Sequence, residues 1–337
     1  MQPSIRSILR TGTSASLLAI FLAACDDSSV NAPESISADT PTENMPAVGG
    51  APQGVQAVPS RRSASQAMDE LEQAVTAGEG GTVVARLDHQ ANAKSVDIDI
   101  PPTILLLFSD PALDVPLLQK NQQVALDLPQ KILAYEDPQG SVKLAFNGVE
   151  YLRDRHALGE LETLNQLRKR LKTLTESASG SEVGPHQEGT GSVEKGAGIV
   201  VLTSGNDFET THQKLRQALE SQSALKVMAE IDYAADAASA DMSLRPTSLF
   251  VFGNPQVGSP MINVRQSIAL DLPQKMLVYQ GEEGEIFVAY NDPEYISRRH
   301  EMLEPGEQLN NEQVEAVASI LAGLVNTAVT ADDASGE

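Results

Sequence analysis

The sequence has no tryptophan, a single cysteine (Cys25) and few aromatics, and its 24 Lys and Arg residues are outnumbered by 46 Asp and Glu. Each shortage excludes something. One cysteine cannot close an intrachain disulfide, so even in an oxidising compartment packed cores must hold the fold. A formal net charge of −22 repels phosphate backbones and anionic lipid heads, which excludes nucleic acid as an expected partner. The N-terminal apolar run, from about Ala15 to Ala24, is too short to cross a hydrocarbon core, for which a helix needs roughly 20 residues. There is no Gly-rich phosphate loop, Gly-x-Ser-x-Gly elbow or His-Glu-x-x-His. The five histidines, at 89, 156, 186, 212 and 300, are scattered and have no cysteine partners, so neither a metal nor a cofactor is implied.

What the N-terminus does have is Arg6 and Arg10 before the apolar run and Leu22-Ala23-Ala24-Cys25 at its end, the pattern of a secretory signal. Leu-Ala-Ala-Cys is similar to the bacterial lipobox, in which the cysteine becomes the lipidated first residue of the mature chain. The resemblance implies a signal peptide over residues 1–24, a lipid on Cys25, and a periplasmic protein anchored to a membrane without spanning it. Asp26 and Asp27, directly after the cysteine, resemble a signal for retention in the inner membrane. Residues 25–53 are Ser, Ala, Pro, Asp, Glu and Gly with few large apolar side chains, and read as a disordered tether; residues 331–337 read as a disordered tail.

The rest of the chain is written twice. Shifting the sequence by 144 positions aligns Leu87 to His156 with Ile231 to His300 without a gap, and 28 of those 70 positions are identical. "ALDLPQK" occurs intact at 125–131 and 269–275. The register extends back to the run Val55 to Val58, which falls on Ile199 to Leu202. A unit of this length is a domain and not a solenoid repeat. The Gly- and Ser-rich stretch between the copies reads as a flexible linker over 177–197, which sets the units at 54–176 and 198–330.

Each unit opens with a β-run and then a helix, which Asn206 or Asp207 caps in the second copy. "TILLLFSDP" and "TSLFVFGNP" are continuous apolar runs, typical of strands buried on both faces. "KILAYED" and "GSVKLAFN" form an antiparallel pair, matched by "KMLVYQG" and "GEIFVAYN". Leu161, Leu164, Leu167, Leu171 and Leu174, and Val314, Val317, Ile320, Leu321, Leu324 and Ala328, form helical stripes that close the units. The expected class is α+β, two tandem β-α-β4-α units with helices on one face of an antiparallel sheet.

In the second copy Arg-Pro-Thr, Phe-Gly-Asn-Pro, Gly-Ser-Pro, Asp-Leu-Pro, Asn-Asp-Pro and Tyr-x-x-x-Arg-His follow one another in order over residues 245–300. This series resembles the domain of unknown function 302 family, and the likeness covers both units. It implies a fold similar to that of the TATA-box-binding protein, a name that carries no implication of DNA binding, and it implies no activity. Because members of that family can pair as dimers, it also implies that the two repeats pair with each other in an intramolecular pseudo-dimer; the alternative is two separate beads. The copies depart from the pattern differently. The first keeps Asp88-His89 but has Ser109-Asp110-Pro111 and Asn147-Gly148-Val149, whereas the second has Tyr233 where the histidine would stand.

Both copies retain Asp88/Asp232, Thr103/Thr247, Asp127/Asp271, Lys131/Lys275, Asn147/Asn291, Tyr151/Tyr295, Arg155/Arg299 and His156/His300. The candidate binding residues are Asp127, Asn147, Arg155, His156, Asp271, Asn291, Arg299 and His300, together with His89. Arg lies four residues after Tyr on a helix, within reach of a carboxylate beside the ring. Two readings compete. In one, the protein is a non-catalytic module that binds a small molecule or a periplasmic protein. In the other, it is a degenerate enzyme that uses the Asp, Arg and His cluster for acid–base chemistry. A pocket holding Asp271, Arg299, His300 and Asn291 would favour the enzyme, and a closed ion-pair network would count against it.

Overall fold

The computed structural model describes residues 51–331 except 79, 184–192 and 303–311. Residues 1–24, read above as a signal peptide, Cys25, residues 26–50 of the expected tether, residues 184–192 of the expected linker and residues 332–337 of the expected tail lie outside the described residues.

The first repeat runs β1 (Val55–Pro59), α1 (Ala64–Ala77), β2 (Thr82–Asp88), α2 (His89–Lys94), β3 (Thr103–Ser109), α3 (Pro111–Lys120), a 3-10 turn (Gln122–Leu126), β4 (Gln130–Glu136), β5 (Val142–Asn147), α4 (Val149–Arg155) and α5 (Glu162–Ser179). The second repeats it as β6 (Ile199–Thr203), α6 (Phe208–Ser221), β7 (Lys226–Asp232), α7 (Tyr233–Ser239), β8 (Thr247–Gly253), α8 (Pro255–Val264), a 3-10 turn (Gln266–Leu270), β9 (Gln274–Gln280), β10 (Ile286–Asn291), α9 (Pro293–Arg299) and α10 (Glu312–Val329). Each is an α+β unit around a five-stranded antiparallel sheet, ordered β1-β5-β4-β3-β2 and β6-β10-β9-β8-β7. The order read from the sequence is present, with short helices inserted between the strands.

Local chemistry explains the element ends. Ser63 and Gln66 form a capping box on α1, and Asp207 caps α6 by accepting from the Thr210 N–H. Asp88 and Asp232 are N-caps of α2 and α7, which accounts for their presence in both copies. Helix α5 runs to Ser179, three residues past the point where composition turns linker-like, and stops at Gly180 in the left-handed region.

Helices α1 and α5 lie together on one face of the first sheet, burying Met68, Leu71 and Val75 against Leu167, Leu171 and Leu174. That leaves the other face, yet every residue of β3 is buried. The second sheet shows why. Phe250, Phe252, Met276 and Val278 belong to a core shared with α6 and α10, whereas the alternating Leu249, Val251 and Leu277 join one core with the whole first repeat. The helix-free faces of the two sheets are therefore turned towards each other, with the 3-10 turns seated between them. Gln122 Nε2 donates to Thr247 Oγ1 at 2.7 Å, and Gln266 Nε2 donates to Thr103 Oγ1 at 2.8 Å. The continuous apolar strands need two covers, and the other repeat supplies the second.

Candidate functional site

Each 3-10 turn ends at an aspartate, Asp127 or Asp271, followed by a cis Leu-Pro bond, 128–129 or 272–273, that leads into β4 or β9. This is the structure of the repeated "ALDLPQK". The aspartates point to the middle of the interface, where α4 and α9 bring Arg155-His156 and Arg299-His300. Arg155 Nη1 donates to Asp127 Oδ2 at 2.7 Å, its Nη2 crosses to Asn291 Oδ1 at 2.8 Å, and its Nε donates to the Ala197 carbonyl at 2.9 Å. Arg299 mirrors this with Asp271 Oδ2 at 2.6 Å, Asn147 Oδ1 at 2.8 Å and the Gln53 carbonyl at 3.0 Å. Each arginine thus binds an aspartate of its own repeat, an asparagine of the other, and the carbonyl of the residue just before the other repeat, Ala197 or Gln53. Tyr151 and Tyr295 lie beside the guanidiniums, with their hydroxyls 3.3 Å apart. Gly54 and Gly198, both at positive φ, let the chain pass against those rings, where a Cβ would collide with the tyrosine.

The lysines break the symmetry. Lys131 Nζ crosses to Asp271 Oδ1 at 2.6 Å and stands 3.7 Å from Asp127, whereas the contact found for Lys275 Nζ is the Leu126 carbonyl at 3.4 Å. Burial and the adjacent Lys131 charge hold the Lys275 ammonium well below the usual lysine range, against the pull of both aspartates. Burial raises the Asp127 carboxyl, but Arg155, His156 and Lys131 outweigh it and hold it well below the carboxylate range; Arg299, Lys131 and His300 do the same for Asp271. Burial lowers His156 and His300 despite the aspartates at 2.7 and 2.8 Å, and so favours the neutral rings.

No side chain among Asp127, Asn147, Arg155, His156, Asp271, Asn291, Arg299 and His300 is more than 7% exposed. Eight of the nine candidate residues converge; His89 does not. It begins α2, buried, with its Nε2 lacking a hydrogen-bond partner among the described residues, and burial lowers its pKa to about 4. Lys131, Tyr151, Tyr295, Gln122 and Gln266 complete the interface without having been singled out as candidates. The available signal was identity between the copies, since a pseudo-twofold interface needs the same residues from both sides.

One line of atoms looks catalytic. Asp271 Oδ2 lies 2.8 Å from His300 Nε2, and His300 Nδ1 lies 3.1 Å from Ser267 Oγ. The distances are those of a nucleophile relay, but the electrostatics are not. Arg299 and Lys131 already occupy Asp271, and an imidazolium at His300 would add charge to a sealed cluster of two carboxylates, two guanidiniums and two lysines. In the first repeat Gln123 replaces the serine and donates to Tyr279 instead. The arrangement fixes the ring.

The family model for the domain of unknown function DUF302 matches residues 56–178 and 200–321. The chain belongs to the DUF302 family. The two matches fall on the two repeats, so the protein is a tandem DUF302 chain. It is also similar to proteins named fluoride-specific ion channel FluC 1 in Brucella suis and Brucella abortus, each 37% identical over 106 residues, about the length of one repeat. These matches cover 32% of this chain and 41% and 39% of the relatives, so the chain spans about two-fifths of their length. Among solved structures, an uncharacterized conserved DUF302 protein from Bacillus stearothermophilus is 21% identical, with a TM-score of 0.33, over 37% of this chain and 98% of its own. Among the described residues, no helix is long and apolar enough to cross a membrane.

Proposed function

We propose that this tandem DUF302 chain is a non-catalytic binding module, held in the periplasm by a lipid on Cys25, that takes a small molecule or a periplasmic protein. The observation that carries the non-catalytic part is the crossed binding of Arg155 and Arg299, each of which uses all three guanidinium nitrogens on an aspartate of its own repeat, an asparagine of the other and a backbone carbonyl. A catalytic acid or base has to meet a substrate, and these groups meet one another. The lipobox-like Leu-Ala-Ala-Cys supports the anchor, and the recurrence of a repeat-length segment in proteins named as fluoride-specific ion channels supports a place of action at a membrane.

The alternative, a degenerate enzyme, draws on the Asp271, His300 and Ser267 line and loses ground to the charge argument above. Fractionation of cells expressing the full chain or Cys25→Ser, with native mass spectrometry of the purified protein, tests the proposal. The expected result is a membrane-bound full chain, a released variant, and a co-purifying ligand or protein. A full chain that is soluble from the start would defeat the anchor. A turnover lost in a folded His300→Gln variant would defeat the non-catalytic reading.

A further inference from the structure

Each sheet has two edge strands, β1 and β2 in the first repeat and β6 and β7 in the second. An open edge offers unpaired N–H and C=O groups to any other strand, and natural sheets blunt it with bulges, charges, proline or a cover. Strands β2 and β7 lie beside each other, and each has a register shift, at Val83/Ala85 and at Val227/Ala229. Strand β1 buries Val55, Gln56 and Val58 and ends on Pro59. Strand β6, Ile-Val-Val-Leu-Thr, has no such protection: it carries no charge, proline or bulge, and none of its five residues is buried. Val201 is 39% exposed, one of two large apolar side chains exposed among the described residues, the other being Val264.

The ladder with β10 fixes which groups face out. Asp292 N–H donates to the Gly198 carbonyl at 2.8 Å and Ser204 N–H to the Ile286 carbonyl at 2.7 Å. By alternation Val200 and Leu202 bond β10, while Ile199, Val201 and Thr203 turn their backbone groups outward. Ile199 N–H is taken by the Gly196 carbonyl at 3.0 Å, but the N–H groups of Val201 and Thr203 have no hydrogen bond among the described residues. Thr203 stands where the first repeat has Pro59, which removes that outward donor from β1.

We propose that β6 is the surface through which two copies of this chain pair, edge to edge and antiparallel, with Val201 on the two-fold axis. In that register each Val201 N–H donates to the carbonyl of the other Val201, and each Thr203 N–H to the carbonyl of the opposite Ile199. The outward groups of β6 are therefore complementary to themselves. The net charge of −22 opposes the approach of two copies over most of the surface, but β6 is uncharged. The same register carries exposed Lys195, just before the strand, towards exposed Asp207, the N-cap of α6 in the other copy. Directly opposed residues in such a pair have Cα atoms about 5.5 Å apart, within the roughly 4.4–6.8 Å that a disulfide spans. Cells expressing the full chain as Val201→Cys are treated with a mild thiol oxidant, and the cross-linked product is identified by mass. The wild type, which keeps Cys25, sets the background, and Val264→Cys sets the rate of chance collision. The expected result is a linked dimer that forms faster for Val201→Cys than for Val264→Cys and is lost when Thr203→Pro is added. No dimer above background, equal rates at the two sites, a link to a different protein, or a dimer retained in folded Thr203→Pro would each overturn the pairing. Should Thr203→Pro fail to fold, the comparison with Val264→Cys decides by itself.

Discussion

Replacing Asp271 by asparagine tests whether the buried network holds the two DUF302 repeats together. The carboxylate receives Arg299 at 2.6 Å, Lys131 at 2.6 Å and His300 at 2.8 Å. Asparagine keeps the shape but removes one of two negative charges from a cluster richer in positive ones, and turns an amide N–H towards donors. Removing one partner of a buried ion pair costs about 3–5 kcal/mol, because the other charge stays buried and uncompensated. In a body of this size each kcal/mol lowers Tm by about 2–4 °C, so the drop should be roughly 6–20 °C. Asp127→Asn should cost less, by about 1.5 kcal/mol, because Lys131 stands 3.7 Å from Asp127 and loses no short bond there. Calorimetry and urea unfolding at neutral pH give both values. Two variants melting within about 2 °C of the wild type would refute the network as a lock.

The lysines should behave oppositely when replaced by methionine. Lys131→Met leaves Asp271 short of a partner and should cost about 3 kcal/mol, whereas Lys275→Met relieves a buried amine crowded by a like charge and should leave the urea midpoint unchanged or raised. The reverse order would show that the lysine roles are misassigned. Gly198→Ala should destabilise clearly more than Gly140→Ala, since both sit at positive φ but a Cβ at 198 strikes the Tyr295 ring while one at 140 meets nothing. The backbone cost alone is about 1 kcal/mol, and equal losses in thermal melts would mean that the ring contact has no weight.

Much of this was legible along the chain. Continuous apolar runs and helical stripes placed strands and closing helices, Asn206 or Asp207 marked a helix start, and the 144-residue register exposed the duplication. Asp127, Arg155, His156 and Asn147, with their counterparts, stood out because both copies keep them. Their use was harder to read. Tyr151 and Arg155 are helical neighbours, but Asn291 is 136 residues from Arg155 and no local pattern joins them.

The sequence by itself determined two α+β units of one design, because hydrophobic periodicity and capping act over a few residues and survive duplication. It also determined that the middles of β3 and β8 would be buried on both faces, since the unbroken apolar runs Ile104 to Phe108 and Leu249 to Phe252 leave no side for water. Only the tertiary structure decided what covers the second face. Two helix-free sheet faces that carry the same residues can bury each other, and the polar side chains caught between them, Asp127, Arg155, Lys131, Asn147 and their partners across the interface, then have nothing but one another to bind.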